Sequence, residues 1–492
     1  MCVEGGRKAY RSSAVCLFCV RTMPRKRVLS PLPIFDQEAL EAFLVERKQK
    51  VSHAVKIWQY LLFTPNASLE TIDRVENLPK VLWEPLRKHF VLFTTKVVRA
   101  TTSTDQTHKL LIELQDGLRV ETVVISKGAS TARRPEGEDG VTICVSSQVG
   151  CKMGCHFCAT GSMGELGSLY AGEIIEQLVH ARRWANVRNV VFMGMGEPFN
   201  NYRNMVHAVR GMLDPKRFAL SGKRITVSTV GVTQKSIQQF TADLPHVSLA
   251  ISLHAPNQEL RASLTNAARG LPLPKLMAAV DNHLEKTKKK VMVEYVMLKG
   301  VNDSIAVAHE LGKLLMGKNV VVNLIPYNIT NVERAYEPTE AEGIRAFKEI
   351  LCKVYGLYTN VRTEKGGDVA AACGQLVVQS MKPKGAAGNT GKVADIEDMM
   401  ASADPTGTSP PVEEGTEEDL VRMHGTELYK RGLVLWPSLA HNQRSDIKQL
   451  TSKMQAERGV NIRLYAILVM GTVAIVYMWY RTGLLLGLYD GF

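Results

Sequence analysis

Apolar residues recur at helical spacing in "QEALEAFLVERKQ" and again in "VSHAVKIWQYLLF". Pro79 and Pro85 punctuate a third such segment, "LPKVLWEPLRKHF". Side chains three and four positions apart share one helix face, so residues 36–100 read as a helical module. From 108 to 147 the period shortens: "KLLIELQ", "RVETVVIS" and "VTICVSS" read as strands around a Gly-, Pro- and charge-rich loop at 128–140. Strand and helix patterns then alternate. "NVVFMG", "RITVST", "VSLAISLH", "KVMVEYVML", "VVVNLIPYN" and "YTNVRT" are the strands. "EIIEQLVHARRWA", "LPKLMAAVDNHLEKT", "AVAHELGKLLM" and "AEGIRAFKEILCKVY" are the helices. This alternation predicts an α/β class: a parallel sheet with covering helices, open or closed into a barrel. Sites in such folds gather at the carboxyl ends of the strands.

After residue 381 the character changes. Residues 382–463 are rich in Gly, Pro, Ser, Thr and acids without periodicity, which predicts a disordered linker. Residues 464–480, "LYAILVMGTVAIVYMWY", carry no charge and are bounded by Arg463 and Arg481. A membrane span needs about 20 apolar residues. The run is short for that, but flanking arginines can snorkel and Trp479 and Tyr480 suit an interface. It reads as a transmembrane helix that anchors the chain by its C-terminus, followed by a tail at 481–492. At the other end, residues 1–35 are basic and Ser-containing, as in an organellar transit peptide or a disordered arm. Cytoplasm and mitochondrion both fit.

The chain has 492 residues, 45% hydrophobic, and a formal charge of +13. That length holds two or three domains with one sizeable core, and the basic balance suits a polyanionic partner such as nucleic acid. Nine cysteines, odd in number and mostly sparse, argue against a secreted disulfide framework. Four of them crowd into "CVSSQVGCKMGCHFCATG", residues 144–161. Cys151, Cys155 and Cys158 have C-x3-C-x2-C spacing, which lets one loop present three thiolates. A structural zinc site takes four ligands, and Cys144 and His156 are the candidates for a fourth. The spacing favours an iron–sulfur cluster with one open iron.

C-x3-C-x2-C with an aromatic, Phe157, before the last cysteine resembles the radical S-adenosylmethionine (SAM) superfamily. "FMGMGEP" follows a strand at the right distance downstream, like that superfamily's SAM-binding loop. "VETVVI", "CVSSQVGC", "GMGEP", "STVGV", "SLHAPN", "VNLIPYN" and "DVAAACGQL" occur in the order found in radical SAM RNA methylases that act on adenine C2. The resemblance covers about residues 36–380. It implies a partial (β/α)6 TIM-like barrel at 101–381 with a β extension, and an RNA-binding role for the helical module. It implies two cofactors, a [4Fe-4S] cluster and SAM, two molecules per turnover. The partners it implies are large-subunit ribosomal RNA, transfer RNA in some relatives, and a flavodoxin- or ferredoxin-like electron donor.

Carried over residue by residue, the resemblance assigns Cys151, Cys155 and Cys158 to the cluster. Gly196, Glu197, Ser228, Ser252, Leu253, His254 and Asn328 match SAM contacts. Cys373 matches the cysteine that takes a methyl group, Cys144 its resolving partner in a transient disulfide, and Glu121 the proton acceptor. Adenine C2 is electron-poor, so ordinary alkylation by SAM fails there, whereas a thiolate accepts methyl readily. Cys352 matches no motif and reads as core. The chain departs from the pattern in "PYNI" near Asn328 and in Glu364 and Lys365 ahead of Cys373. Methylation of adenine C8 by the same machinery, and a non-catalytic, membrane-tethered RNA-binding protein, are the alternatives.

Overall fold

The computed structural model of the protein describes residues 27–126, 140–330, 332 and 334–376. The expected linker, apolar run and tail, and residues 1–26 of the expected arm, lie outside the described residues. Among the described residues no helix is long and apolar enough to cross a membrane.

A ten-stranded mixed sheet organises the fold. We number its strands in chain order: β1 (Thr95–Thr102), β2 (His108–Leu114), β3 (Arg119–Ile125), β4 (Val141–Cys144) and β5 (Val187–Phe192). β6 (Ile225–Thr229), β7 (Ser248–Ser252), β8 (Val291–Met297), β9 (Val320–Pro326) and β10 (Tyr358–Val361) complete it. β4 to β10 pair in sequence order and in parallel. β1, β2 and β3 extend the β4 side as an antiparallel meander. The sheet order therefore runs β10 to β1 without a β10–β1 pairing, an open form of the expected (β/α)6 barrel with the expected β extension.

Helices cover the parallel half: α1 (Ala171–Arg182), α2 (Tyr202–Leu213), α3 (Gln234–Asp243), α4 (Leu273–Thr287), α5 (Ile305–Leu315) and α6 (Ala341–Glu349). Each lies between successive parallel strands, as a parallel connection requires. Strands covered in this way are apolar along their length, and every residue of β6 is buried. α2 and α3 escape the sequence reading because Arg, Asn, Gln and Lys interrupt their apolar stripes.

Three expectations need correction. The helical reading ends at His89, after helices at Gln37–Glu46, Ser52–Phe63 and Trp83–His89. Thr95–Thr102 is a strand, because its alternating burial pairs it with β2. Residues 27–35 of the expected arm belong to the fold: Arg27 is buried and bonds both oxygens of Glu173 at 2.7 Å, and Leu29, Ile34 and Phe35 are buried. Cys352 is half-buried on a π-helical turn (Ile350–Val354) that ends α6, outside the core. The N-terminal helices share one hydrophobic core with the sheet, which runs from Ile34 and Trp58 through Val190 and Leu249 to Leu376.

Candidate active site

The carboxyl ends of the parallel strands carry the motifs. After β4 the chain forms a hairpin of Gln148–Cys151 with Gly164–Ser168, and the three spaced cysteines lie on its loop. Gly150 and Gly154 take the left-handed backbone there, at φ +71° and +57°. Burial pushes the Cys151 thiol well up and that of Cys155 to about 12, and the three sulfurs oppose one another's ionisation. Cys158 is also raised by burial, although N–H groups of Gly161 and Thr160 point at it. Three crowded thiols that resist ionisation need a cation to become thiolates. No group of three or more His, Cys, Asp or Glu among the described residues closes on a single ion. A four-iron cluster spreads its thiolates over several irons, so the donor set fits a cluster. Neither proposed fourth ligand joins it. His156 Nδ1 is 2.8 Å from Ser263 O, and Cys144 lies at the end of β4 among residues that line a separate cleft.

The loop after β5 locks onto the start of the cysteine loop. Met195 O accepts from the N–H groups of Ser147 at 2.8 Å and Gln148 at 3.2 Å, and Glu197 N–H donates to Gln148 Oε1 at 3.0 Å. Gly196 adopts φ +94°, and a Cβ there would stand 2.5 Å from Gln148 Cβ, so only glycine fits. Glu197 is buried and accepts from Phe199 N–H at 2.9 Å and Val230 N–H at 3.0 Å. Those two bonds hold the carboxyl group in place for an ammonium partner, whose charge would offset the burial that raises its pKa.

Ser228 and Ser252, at the ends of β6 and β7, place their hydroxyls 3.2 Å apart. Leu253 is buried, and its N–H donates to Glu294 O at 3.1 Å. His254 is buried in the left-handed region at φ +60°; Asn302 donates to its carbonyl at 2.9 Å and Val296 N–H to Nδ1 at 3.1 Å. Burial drives its pKa down to about 3, and its ring packs edge-on against Phe157 with centroids 4.9 Å apart. A neutral imidazole therefore abuts the cysteine loop.

The segment after β10 crosses to the opposite edge of the sheet and returns with Cys373. Asp368 bonds Ser103 Oγ and, at 3.0 Å, Thr104 N–H in the β1–β2 turn; Gly366 N–H donates to Asp105 at 3.2 Å. Gly374 O then accepts from Ala159 N–H at 2.8 Å, Leu376 O from Thr160 Oγ1 at 2.5 Å and Cys373 O from Asn328 Nδ2 at 3.0 Å. This strap fixes Cys373 directly over the cysteine loop.

Cys144 and Cys373 line one cleft with Met193, Asn328, Arg362 and Lys365. Both are free thiols, so the expected disulfide is not formed. Burial raises the Cys144 thiol to about 12, and the charge of Cys373 adds to this. Glu121 of β3 is buried, with Lys109 Nζ 3.2 Å from Oε1; Lys109 also reaches Ala370 O at 3.4 Å. All thirteen residues singled out from the sequence therefore lie on or beside the carboxyl-end loops, on β3, or on the strap. Sequence reasoning missed Lys109, Glu294, Arg362 and Asp368. A glutamate inside the apolar run "VMVEYVML" was the available signal for Glu294, since a charge buried in a strand must have a partner.

Residues 145–311 match the family model described as the radical SAM superfamily, whose cofactors are the iron–sulfur cluster and SAM. A probable dual-specificity RNA methyltransferase RlmN 2 of Protochlamydia amoebophila is 40% identical over 353 residues, covering 70% of this chain and 94% of that protein. A probable dual-specificity RNA methyltransferase RlmN of Bacillus licheniformis is 39% identical, with 70% and 92% covered. The crystal structure of a radical SAM methyltransferase from Sphaerobacter thermophilus superposes with a TM-score of 0.63 at 36% identity, covering 70% of this chain and 99% of that one. Relatives that are 39–40% identical and covered over more than nine-tenths of their own length place this chain in the RlmN family of radical SAM RNA methyltransferases.

Proposed function

We propose that the protein methylates C2 of an adenosine in large-subunit ribosomal RNA, and in transfer RNA, through a methyl group carried on Cys373. One observation carries this reading: two free thiols from distant parts of the chain, Cys144 and Cys373, line one cleft beside three further thiols. A lone cysteine could accept a methyl group. A second thiol in the same cleft is needed only if the first becomes bonded to substrate and must be released.

Cys151, Cys155 and Cys158 would hold the cluster, and Gly196, Glu197, Ser228, Ser252, Leu253, His254 and Asn328 would seat SAM. When bound, this pair supplies the methyl group and a hydrogen-abstracting radical. Cys373 is the acceptor sulfur. Its carbon gives up one hydrogen atom and becomes bonded to adenine C2, whose own hydrogen leaves as a proton to Glu121 and an electron that would return to the cluster; Cys144 then attacks the Cys373 sulfur and breaks its bond to that carbon. The bonding pair leaves with the carbon, which is protonated to methyl, and the two sulfurs are oxidised to a disulfide. An external reductant then restores the thiols. Cys144 must therefore come within disulfide range, Cα to Cα about 4.4–6.8 Å.

The N-terminal helices are the RNA contact in this reading, with the linker giving the catalytic part reach from an anchor at 464–480. Carbonate extraction tests the anchor: the full chain should stay with membranes and a chain ending at Ser380 should not. The cysteine mechanism is tested on a denaturing gel after reaction with SAM, reductant and unmethylated RNA. Cys144→Ala should accumulate a protein–RNA adduct and Cys373→Ala should form none. An adduct in Cys373→Ala, or normal turnover in Cys144→Ala, removes the two-thiol scheme.

A further inference from the structure

Polar residues share one register across three adjacent strands of the parallel half. Glu294 of β8 is in register with Asn323 of β9, and Asn323 with Asn360 of β10. Asn323 Nδ2 donates to Glu294 Oε1 at 2.9 Å. Arg362, two residues past Asn360, is fixed by its N–H to Leu324 O at 2.9 Å and brings Nη1 to 3.5 Å from Glu294 Oε2. Glu294 is buried, and Oε2 has no hydrogen-bond partner among the described residues. A buried carboxylate is tolerated when a cation offsets it, so the glutamate holds the arginine by charge and leaves its donors free.

Those donors face the cleft. Arg362 lines it with Cys144 and Cys373, and Nη1 is 3.9 Å from Met193 Sδ. Met193 lines the same cleft, so the guanidinium, the thioether and both thiols face one space. The charge of Cys373 is the largest influence on Arg362 and holds its pKa above the ordinary value, ahead of the opposing effect of burial and the help of Glu294 and Cys144. A guanidinium keeps its charge under such conditions and offers several donors in a fixed plane.

We propose that Arg362, braced by Glu294 and Asn323, is a positioning residue that aims the Cys373 sulfur into the cleft and faces the negative charge it carries as a nucleophile. The proposal rests on the reading of Cys373 as the acceptor, but it makes a claim about sulfur reactivity that holds without SAM or RNA.

The test uses the full chain, purified without air with its cluster, and follows iodoacetamide alkylation of each cysteine by peptide mass spectrometry. Cys352, half-buried and remote in sequence, is the internal reference. A charge-assisted donor facing a sulfur nucleophile changes its reactivity by about ten-fold or more. Arg362→Met should slow Cys373 alkylation about ten-fold and leave Cys352 unchanged, and Arg362→Lys should recover part of the rate. Because Arg362→Met strands a buried carboxylate, the double variant Arg362→Met/Glu294→Gln is read alongside it and should show the same slow Cys373. Wild-type alkylation of Cys373 in that double variant overturns the proposal and leaves Arg362 as the counter-ion of Glu294 alone. In parallel, wild-type protein given SAM should gain a methyl mass on Cys373. Its absence removes the acceptor reading while the alkylation result stands by itself.

Discussion

The junction between the N-terminal segment and the sheet makes a sharp energetic prediction. Arg27 donates to both oxygens of Glu173 at 2.7 Å, to Asp116 at 2.5 and 3.2 Å, and to Ser168 O at 3.2 Å. The Arg27 and Glu173 side chains are 4% and 0% exposed, whereas Asp116 is 30% exposed. Burial raises the Glu173 pKa, and Arg27 opposes that rise. Arg27→Met leaves Glu173 enclosed without its cation, and removing one partner of a buried pair costs about 3–5 kcal/mol. The Asp116 arm adds little because water screens it. An unfolding entropy of about 2.1 cal/mol/K per residue gives a fold of roughly 340 residues about 1.4 °C per kcal/mol, so the melting temperature should fall about 4–7 °C. The double variant Arg27→Met/Glu173→Gln should recover much of that loss, since no buried charge remains, while the Gln oxygen still accepts from Tyr170 N–H. The reasoning fails if the single variant melts within about 2 °C of wild type, or if the double variant is no more stable than the single.

Other expectations follow from the same geometry. Cys151→Ala should lose the cluster's absorbance and SAM cleavage together, while Cys144→Ala keeps both. Asp368→Ala removes two bonds from the strap to the β1–β2 turn; at about 1 kcal/mol each, amide exchange across 366–371 should speed up about ten-fold or more, and unchanged exchange there would count against the latch. Burial holds His180 and His254 down to about 3 and His283 to about 4, so each stays neutral when folded. The unfolded chain takes up those protons below about 6.5. Their contribution to stability is therefore full above 6.5 and is lost as pH falls towards 3–4. Glu176, raised by burial to about 8, has the opposite sign: its contribution is present below about 4.5 and lost as pH rises through 8. Asp36, Glu173 and Glu197 are raised by burial in the same direction as Glu176, so the readable quantity is a difference: the melting temperature of His180→Gln relative to wild type should rise as pH falls from 6.5 to 5.

Much of the parallel half was legible because each element announces itself locally. Buried strands such as β6 and β9 are apolar runs, and the amphipathic α4 has its Pro272 start. The cysteine loop and the glycine loop were equally plain, since their chemistry fixes spacing and residue type. What the sequence hid was non-local. β1 looked like the end of a helical module because its partner is the following strand, and no local period marks that pairing. Arg27 looked like one of many basic residues until Glu173 and Asp116 closed around it. Arg362 precedes the expected departure at Glu364 and Lys365, and its partners come from β8 and the two cysteines. Lys109 and Asp368 matter only because the strap passes over the β1–β2 turn.

The most direct measurement is the identity of the modified nucleoside. Purified protein, SAM and a reductant are incubated with large-subunit ribosomal RNA from cells lacking the enzyme, and the RNA is digested for mass spectrometry against synthetic standards. The account predicts 2-methyladenosine at one position with wild-type protein and none with Cys373→Ala. The appearance of 8-methyladenosine instead, or of 2-methyladenosine with Cys373→Ala, would contradict it.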